Sequence, residues 1–263
     1  MGSATREALS ASKAAVAALG AKADVAVGEQ LLAAGRVIGD SAQLLAALSD
    51  PAALAADKSG AVDKVFGSLS AQAKSLLGTL VSQRWSSGDD LLAAIEEIGI
   101  RVLARSADAK TSIERELFAF GTAVSSDPEL ELAVGSKLGS AEAKASLVSA
   151  LVGKKASAQT AAILSHLVQQ PRGRRIAALL RSAATTVADE AGLAIATVTT
   201  ATAIDETQLS RIAASLATGG RELRINHVID PSILGGIRVQ IGDEVIDGTI
   251  ASRLNDLRLQ LAS

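Results

Sequence analysis

Two histidines, His166 and His227, are the residues best placed by type to carry acid–base or metal chemistry. His166 lies between Leu164 and Leu167 in a helical pattern, and His227 lies in a strand pattern. Neither has an acidic residue at ligand spacing, so both are expected to be packed side chains. Asp230, Asp243 and Asp247 could serve an enzyme as acid and base, but carboxylates beside turns and helix starts more often cap them. No His-Glu-x-x-His or nucleophile-elbow pattern occurs. Cysteine is absent, which removes thiolate catalysis, disulfides and Cys-held metals together. Gly153-Lys154-Lys155 lacks the earlier glycine and the following Ser or Thr of a phosphate loop. Gly235-Gly236 could let backbone approach a phosphate, but it leads into a strand pattern, not a helix, so a turn or bulge is favoured. No catalytic residue, cofactor or metal is expected.

What remains is the chemistry of binding. Arg172, Arg174 and Arg175, with Arg181 a little later, form the one basic cluster. It is either a solvated helix start and exposed face or a contact for an acidic partner. Trp85 follows Arg84 at roughly the matching place upstream, and is either core or a partner anchor. The chain of 263 residues carries 26 basic and 28 acidic side chains, a net charge of −2, and a pI near 5.8. That balance opposes nucleic-acid binding, which wants a broad basic face. Apolar residues make 48% of the chain but aromatics only 2%, so alanine supplies much of the hydropathy. No run of 18 apolar residues free of charge occurs, so no membrane-spanning helix is predicted. The Ala-dominated run from Lys13 to Leu19 is expected to be a helix of a folded domain, not a signal peptide.

The elements holding these residues are mostly amphipathic helices, and they occur twice. LLAAGRVIGDSAQLLAAL from Leu31 repeats as LFAFGTAVSSDPELELAV from Leu117. Gly35 and Gly121, Leu44 and Leu130, Lys58 and Lys144, and Gly67 and Gly153 all stand 86 positions apart. After one insertion, Ser70-Ala71-Gln72 pairs with Ser157-Ala158-Gln159, and Leu80-Val81 with Leu167-Val168, at 87. A glycine inside a helix costs about 1 kcal/mol against alanine, so Gly35 and Gly121 point to a close helix crossing in each copy. Asp50-Pro51 and Asp127-Pro128 are read as matching helix starts. The expected organisation is a first helical bundle over 1–107, a second over 108–191, and a different module over 192–263, with the helix near Asp89–Ser106 joining the copies.

That last module alternates. Ala194–Thr200 predicts a strand, and Asp205 can cap a helix over Glu206–Ala217 that Gly219-Gly220 stops. Leu223, Ile225 and Val228 suggest a second strand, and Ile237, Val239 and Ile241 a third. Gly242-Asp243 turns the chain into Val245-Ile246. Asp247 or Thr249 can cap a final helix whose Ile250, Leu254, Leu257 and Leu261 form one stripe. The predicted fold class is mainly α with a small α+β C-terminal module: two tandem helical bundles, a short mixed sheet and a terminal helix.

Asp230-Pro231, Leu234-Gly235-Gly236-Ile237, Ile241-Gly242-Asp243, Val245-Ile246-Asp247-Gly248-Thr249 and Arg253-Leu254 stand in an order that closely resembles the end of the delta subunits of bacterial F-type ATP synthases. These are relatives of the oligomycin-sensitivity-conferring protein. A usual Ser after Asp-Gly is Thr249 here, which keeps the hydroxyl. The matched Asp230, Pro231, Gly235, Gly236, Gly242, Asp247, Gly248 and Leu254 look like fold determinants, not a ligand site. The extra helical copy resembles the longer delta subunits of actinobacteria. The resemblance implies a non-catalytic stator subunit, peripheral on the cytoplasmic face of the bacterial membrane and present once per hetero-oligomer. Its helical part would bind N-terminal helices of the alpha subunits, and its C-terminal part the b-subunit stalk, so that the head resists rotational torque. Amphipathic helices with small side chains make grooves that accept a partner helix. Grooves on the Leu77, Leu80, Val81 face, or the matching Leu164, Leu167, Val168 face, are the expected alpha contacts. The alternative is a helical adaptor or scaffold with a different partner.

Overall fold

The computed structural model describes residues 2–135, 139–153, 155–216, 222–241 and 244–254. Two compact units are formed, Met1–Val187 and Ala188–Ser263. The first unit holds both helical copies. In the first copy, α1 (Ser3–Leu19), α2 (Val25–Asp40), α3 (Ala42–Ser49), α4 (Ala55–Val65), α5 (Ala71–Ser82) and α6 (Gly88–Arg105) surround one apolar core. The second copy continues with α7 (Ile113–Ser125), α8 (Pro128–Gly135), α9 (Ala141–Val152), α10 (Ala158–Gln169) and α11 (Ile176–Glu190).

The helix starts follow the sequence signals closely. Ser70 and Ser157 cap α5 and α10 by accepting from the amides of Ala73 and Thr160, which satisfies donors the helix itself leaves open. The element preceding each start is tied down in the same way. Gln30 accepts from the Ser70 amide at 2.9 Å in the first copy, and Glu116 from the Ser157 amide at 3.0 Å in the second. Asp127 caps α8, with Pro128 as its first residue. Its counterpart 86 positions earlier is Ser41, which caps α3. Asp50 instead accepts from Ala52 in a turn before α4, so Asp50-Pro51 starts no helix.

Helix α6 belongs to both copies. At the same 86-residue offset, buried Thr5, Ala8, Ser12 and Val16 of α1 match buried Leu91, Ala94, Ile98 and Val102 of α6. Toward the first copy, α6 is the closing helix that crosses α2. A Cβ on Gly35 would stand 2.9 Å from Ile95, and one on Gly99 2.5 Å from Leu32. Gly121 meets Leu180 of α11 in the corresponding way, at 3.2 Å. The two glycines thus occupy close crossings, as their shared register predicts. Burial on two faces explains why eleven residues of α6 are buried, Glu96 and Arg101 among them.

In the second unit, β1 (Leu193–Thr200) runs parallel to β2 (Glu222–Ile229), with α12 (Glu206–Leu216) between them in sequence. β3 (Ile237–Ile241) pairs antiparallel with β1, and β4 (Glu244–Asp247) with β3, giving the order β2-β1-β3-β4. Ala196, Val198 and Val239 form the core, covered by Ile204, Ile212 and Leu216. Asp205 caps α12 through the Gln208 amide. Gly219, Gly220, Gly242, Asp243, Leu257 and Leu261, given turn, stop or stripe roles above, lie outside the described residues.

The loop from Asp230 to Thr249 shows what the tail motifs do. Asp230 accepts from the Ser232 amide and hydroxyl in the turn that contains Pro231. Gly235 and Gly236 have φ of 124° and 84°, and the Gly248 amide donates to Ile237 O at 2.9 Å. Asp247 braces the Thr249 amide, and the Thr249 hydroxyl caps the terminal helix by accepting from Ser252. The Ser232 hydroxyl and amide hold the Asp230 carboxyl below its ordinary range, and the Thr249 hydroxyl and amide do the same for Asp247. A Cβ on Gly236 would sit 2.5 Å from Gly248 O and 2.9 Å from Thr249 Cα, both backbone atoms. Gly236→Ala is therefore expected to lose about 1–3 kcal/mol from backbone strain alone, read as a lower urea midpoint. Gly60→Ala in α4, where no atom lies within 4 Å, should instead gain up to about 1 kcal/mol.

Candidate partner interface

The six residues expected to line a partner groove are core residues. Leu77, Leu80, Val81, Leu164 and Leu167 are fully buried, and Val168 is 2% exposed. They repeat at helical spacing because each fifth helix, α5 and α10, turns the same stripe inward. A period of 3.6 looks the same whether the stripe meets its own core or a visitor. What α5 offers outward is a run of small and polar side chains. An open groove of about 630 Å³ lies along it, lined by Ser59 and Asp63 of α4 and by Lys74, Ser75, Gly78 and Ser82 of α5. A Cβ on Gly78 would meet nothing within 4 Å.

Trp85 is core, 4% exposed, with its indole N–H donating to Leu80 O at 2.7 Å. The arginine cluster divides. Arg175 and Arg181 are exposed, whereas Arg172 and Arg174 turn inward onto Glu96 of α6. Arg174 Nη1 and Nη2 bind Glu96 Oε1 and Oε2 at 2.9 and 2.7 Å, and Arg172 Nη2 binds Oε2 at 2.9 Å. The acidic partner of this cluster is thus internal. His166 joins it: Nε2 stands 3.5 Å from Glu96 Oε2, and Arg36 Nη1 of α2 stands 3.2 Å from Nδ1. The histidine does have an acidic neighbour, brought from seventy positions away by the α6–α10 packing.

Burial would push the Glu96 carboxyl up, but the nearby His166 ring, whose Nε2 approaches to 3.5 Å without a geometrically formed hydrogen bond, the hydrogen bonds from Arg174 and the charges of Arg172 and Arg174 outweigh it, leaving it at about 2. Burial, aided by Arg36 and Arg172, pushes His166 below its ordinary value despite the pull of Glu96. Arg172 has φ of 47°, a left-handed conformation costing about 1–3 kcal/mol outside glycine, and its Nε is buried without a partner among the described residues. In the second unit, the Thr200 hydroxyl donates to Thr202 O, so it accepts from His227 Nε2 at 2.7 Å. His227 is therefore a hydrogen-bonded sheet residue.

Among the described residues, no group of three or more His, Cys, Asp or Glu could hold a metal ion, and no single helix is long and apolar enough to cross a membrane. The groove beside α5, lined by small and polar side chains, is the candidate surface for a protein partner among the described residues. The sequence model of the ATP synthase delta (OSCP) subunit family matches residues 100–261. The chain is 56% identical to ATP synthase subunit delta of Leifsonia xyli subsp. xyli, over the whole of both chains. It is 38% identical to ATP synthase subunit delta of Streptomyces avermitilis, covering 91% of this chain and 89% of that one. The chain belongs to the ATP synthase delta (OSCP) subunit family, and is a stator subunit of the F-type ATP synthase. It is a structural, peripheral component of that membrane-bound complex. The family match begins at residue 100, near the end of α6, and runs through the second helical copy and the C-terminal unit.

Proposed function

We propose that the chain links the alpha subunits of the catalytic head to the b-subunit peripheral stalk and has no catalytic activity of its own. One copy stands on each head, at the cytoplasmic face of the membrane, without entering the bilayer or binding nucleic acid. The helical unit takes N-terminal helices of the alpha subunits, and the C-terminal module takes the b subunit. The observation that carries this reading is the full-length match to delta subunits, which spans both helical copies and the tail together. Attachment at two places makes the linkage bivalent, so loss of one contact does not release the chain. Packed helices, with their backbone hydrogen bonds internal, resist the bending that torque imposes. Since the core stripes of α5 and α10 face inward, the alpha helix is assigned to the groove beside them, against Lys74, Ser75 and Gly78.

Intact synthase purified from the source cells is expected to contain the chain with alpha and b, once per head. Its absence from active, complete particles would overturn the proposal. Nucleotide hydrolysis by the purified chain, free of the catalytic head, would overturn the non-catalytic part of it.

A further inference from the structure

The ion cluster around Glu96 occurs once, although the helices that build it occur twice. The first-copy residue matching Glu96 is Ser10, the one matching His166 is Thr79, and the one matching Arg172 is Trp85. In the first copy, the loop after the fifth helix is tied to the opening helix through the buried hydroxyl of Thr5. Thr5 Oγ1 bonds Ser86 Oγ at 2.9 Å and Asp90 Oδ2 at 3.1 Å. In the second copy the same loop is held by Arg172 and Arg174 on the buried Glu96, and Arg36 reaches in from α2 of the first copy. The cluster therefore sits where the copies meet. Around it, Gln170 Nε2 donates to Gly35 O at 3.4 Å and Arg172 Nη1 to Asp89 O at 3.5 Å.

The hydrogen-bond chemistry fixes the proton. A guanidinium can only donate, so Nδ1 of His166 must present its lone pair to Arg36. The ring is then neutral with its proton on Nε2, facing Glu96. A second proton has only Nδ1 to go to. There it removes the Arg36 hydrogen bond and sets two cations 3.2 Å apart at a ring that is 1% exposed. Glu96 favours the charged ring, but it is already shared between Arg172 and Arg174.

We propose that Arg36, Glu96, His166, Arg172 and Arg174 form a proton-operated latch between the two helical copies, closed when His166 is neutral and released when it is protonated. The charged groups facing His166 are Arg36 from α2, Glu96 from α6, and Arg172 from the loop after α10. The other helices packed on α10 leave the ring alone. Glu116 of α7 engages Ser157 and Thr160 at the far end of α10, and Lys144 of α9 lies against Gly139. Release frees the end of α10 and the strained Arg172 turn, which loosens the second copy's grip on the first.

The test is a pH titration of the full-length chain with 13C-labelled histidine. Two histidines give two ring signals, and His166→Gln assigns them. The His166 signal is expected to titrate below the ordinary histidine value of about 6.5. Amide exchange over 170–176, corrected for its intrinsic pH dependence, should quicken about tenfold or more through the same midpoint, because protection reports local opening. His166→Gln should abolish that acid dependence. Glu96→Gln, which keeps an acceptor but removes the charge, should loosen the segment already at pH 7.5. Protection that ignores the His166 midpoint, persists in its pH dependence without His166, or is unchanged by Glu96→Gln would overturn the latch.

Discussion

Leu164→Ala is expected to destabilise the helical unit by about 2–5 kcal/mol, the range for emptying a fully buried leucine site. Leu77→Ala should do the same in the first copy, since both side chains are 0% exposed. An aspartate at either position would be worse, placing an unpaired carboxylate in the core. Loss of alpha binding in such a variant would therefore report unfolding and say nothing of a groove. The informative change is on the other side of α5. Gly78→Trp, whose new Cβ meets no neighbour within 4 Å, should leave the urea midpoint within about 0.5 kcal/mol of wild type. It should lower affinity for an alpha N-terminal peptide at least about tenfold, which is about 1.4 kcal/mol. Calorimetric titration reads one effect and urea unfolding the other. Unchanged affinity with full occupancy of the groove by tryptophan would remove this groove from the proposed function.

The contrast shows which features a sequence can carry. Gly35 and Gly121 announced their crossings because a helix interior tolerates glycine only where something repays its cost, and both meet a large side chain of the crossing helix. Asp127-Pro128 announced a helix start because a cap is local chemistry. The stripe Leu77, Leu80, Val81 announced only that one face of α5 is apolar. Which surface covers that face is a tertiary fact, and the covering helices α1, α2 and α6 lie outside any local window.

Helix α6, legible as the helix joining the copies, hides its second face for a related reason. Its stripe of Leu91, Ile95, Ile98 and Val102 is legible, but its second buried face carries Glu96 and Arg101, which by type belong to a solvated side. Charges there are tolerated because they are paired: Glu96 by Arg172 and Arg174 from the loop after α10, and Arg101 by Glu97 one turn earlier on the same helix at 2.9 Å. Nothing near Glu96 in sequence announces arginines more than seventy positions on. The tail was the reverse case. Each described turn from Asp230 to Thr249 is bonded within twenty residues, save the Asp230 amide, which reaches Thr200 O, so its motif order carried most of its described structure.

Glu96→Ala should cost about 3 kcal/mol at pH 7, because it removes the buried acceptor shared by the half-buried Arg172 and Arg174 and the buried His166. The wild-type chain should show the same interaction through acid. A carboxyl held at about 2 instead of its ordinary 4.5 binds fewer protons folded than unfolded between those values. Stability therefore falls as pH drops through that window, by about 3 kcal/mol in total, and is fully present above pH 4.5. His166 adds a second window above the first. Its folded value is depressed, so below about pH 6.5 the unfolded chain takes up a proton that the folded chain refuses, and stability again falls with acid. Urea unfolding at pH 7.5, 5.5 and 3 separates the two. Glu96→Ala should narrow its gap from wild type mainly between pH 5.5 and 3, whereas His166→Gln should flatten the wild-type decline between pH 7.5 and 5.5. A Glu96→Ala gap that stays constant down to pH 3 would mean the carboxyl is not held by the arginines in solution.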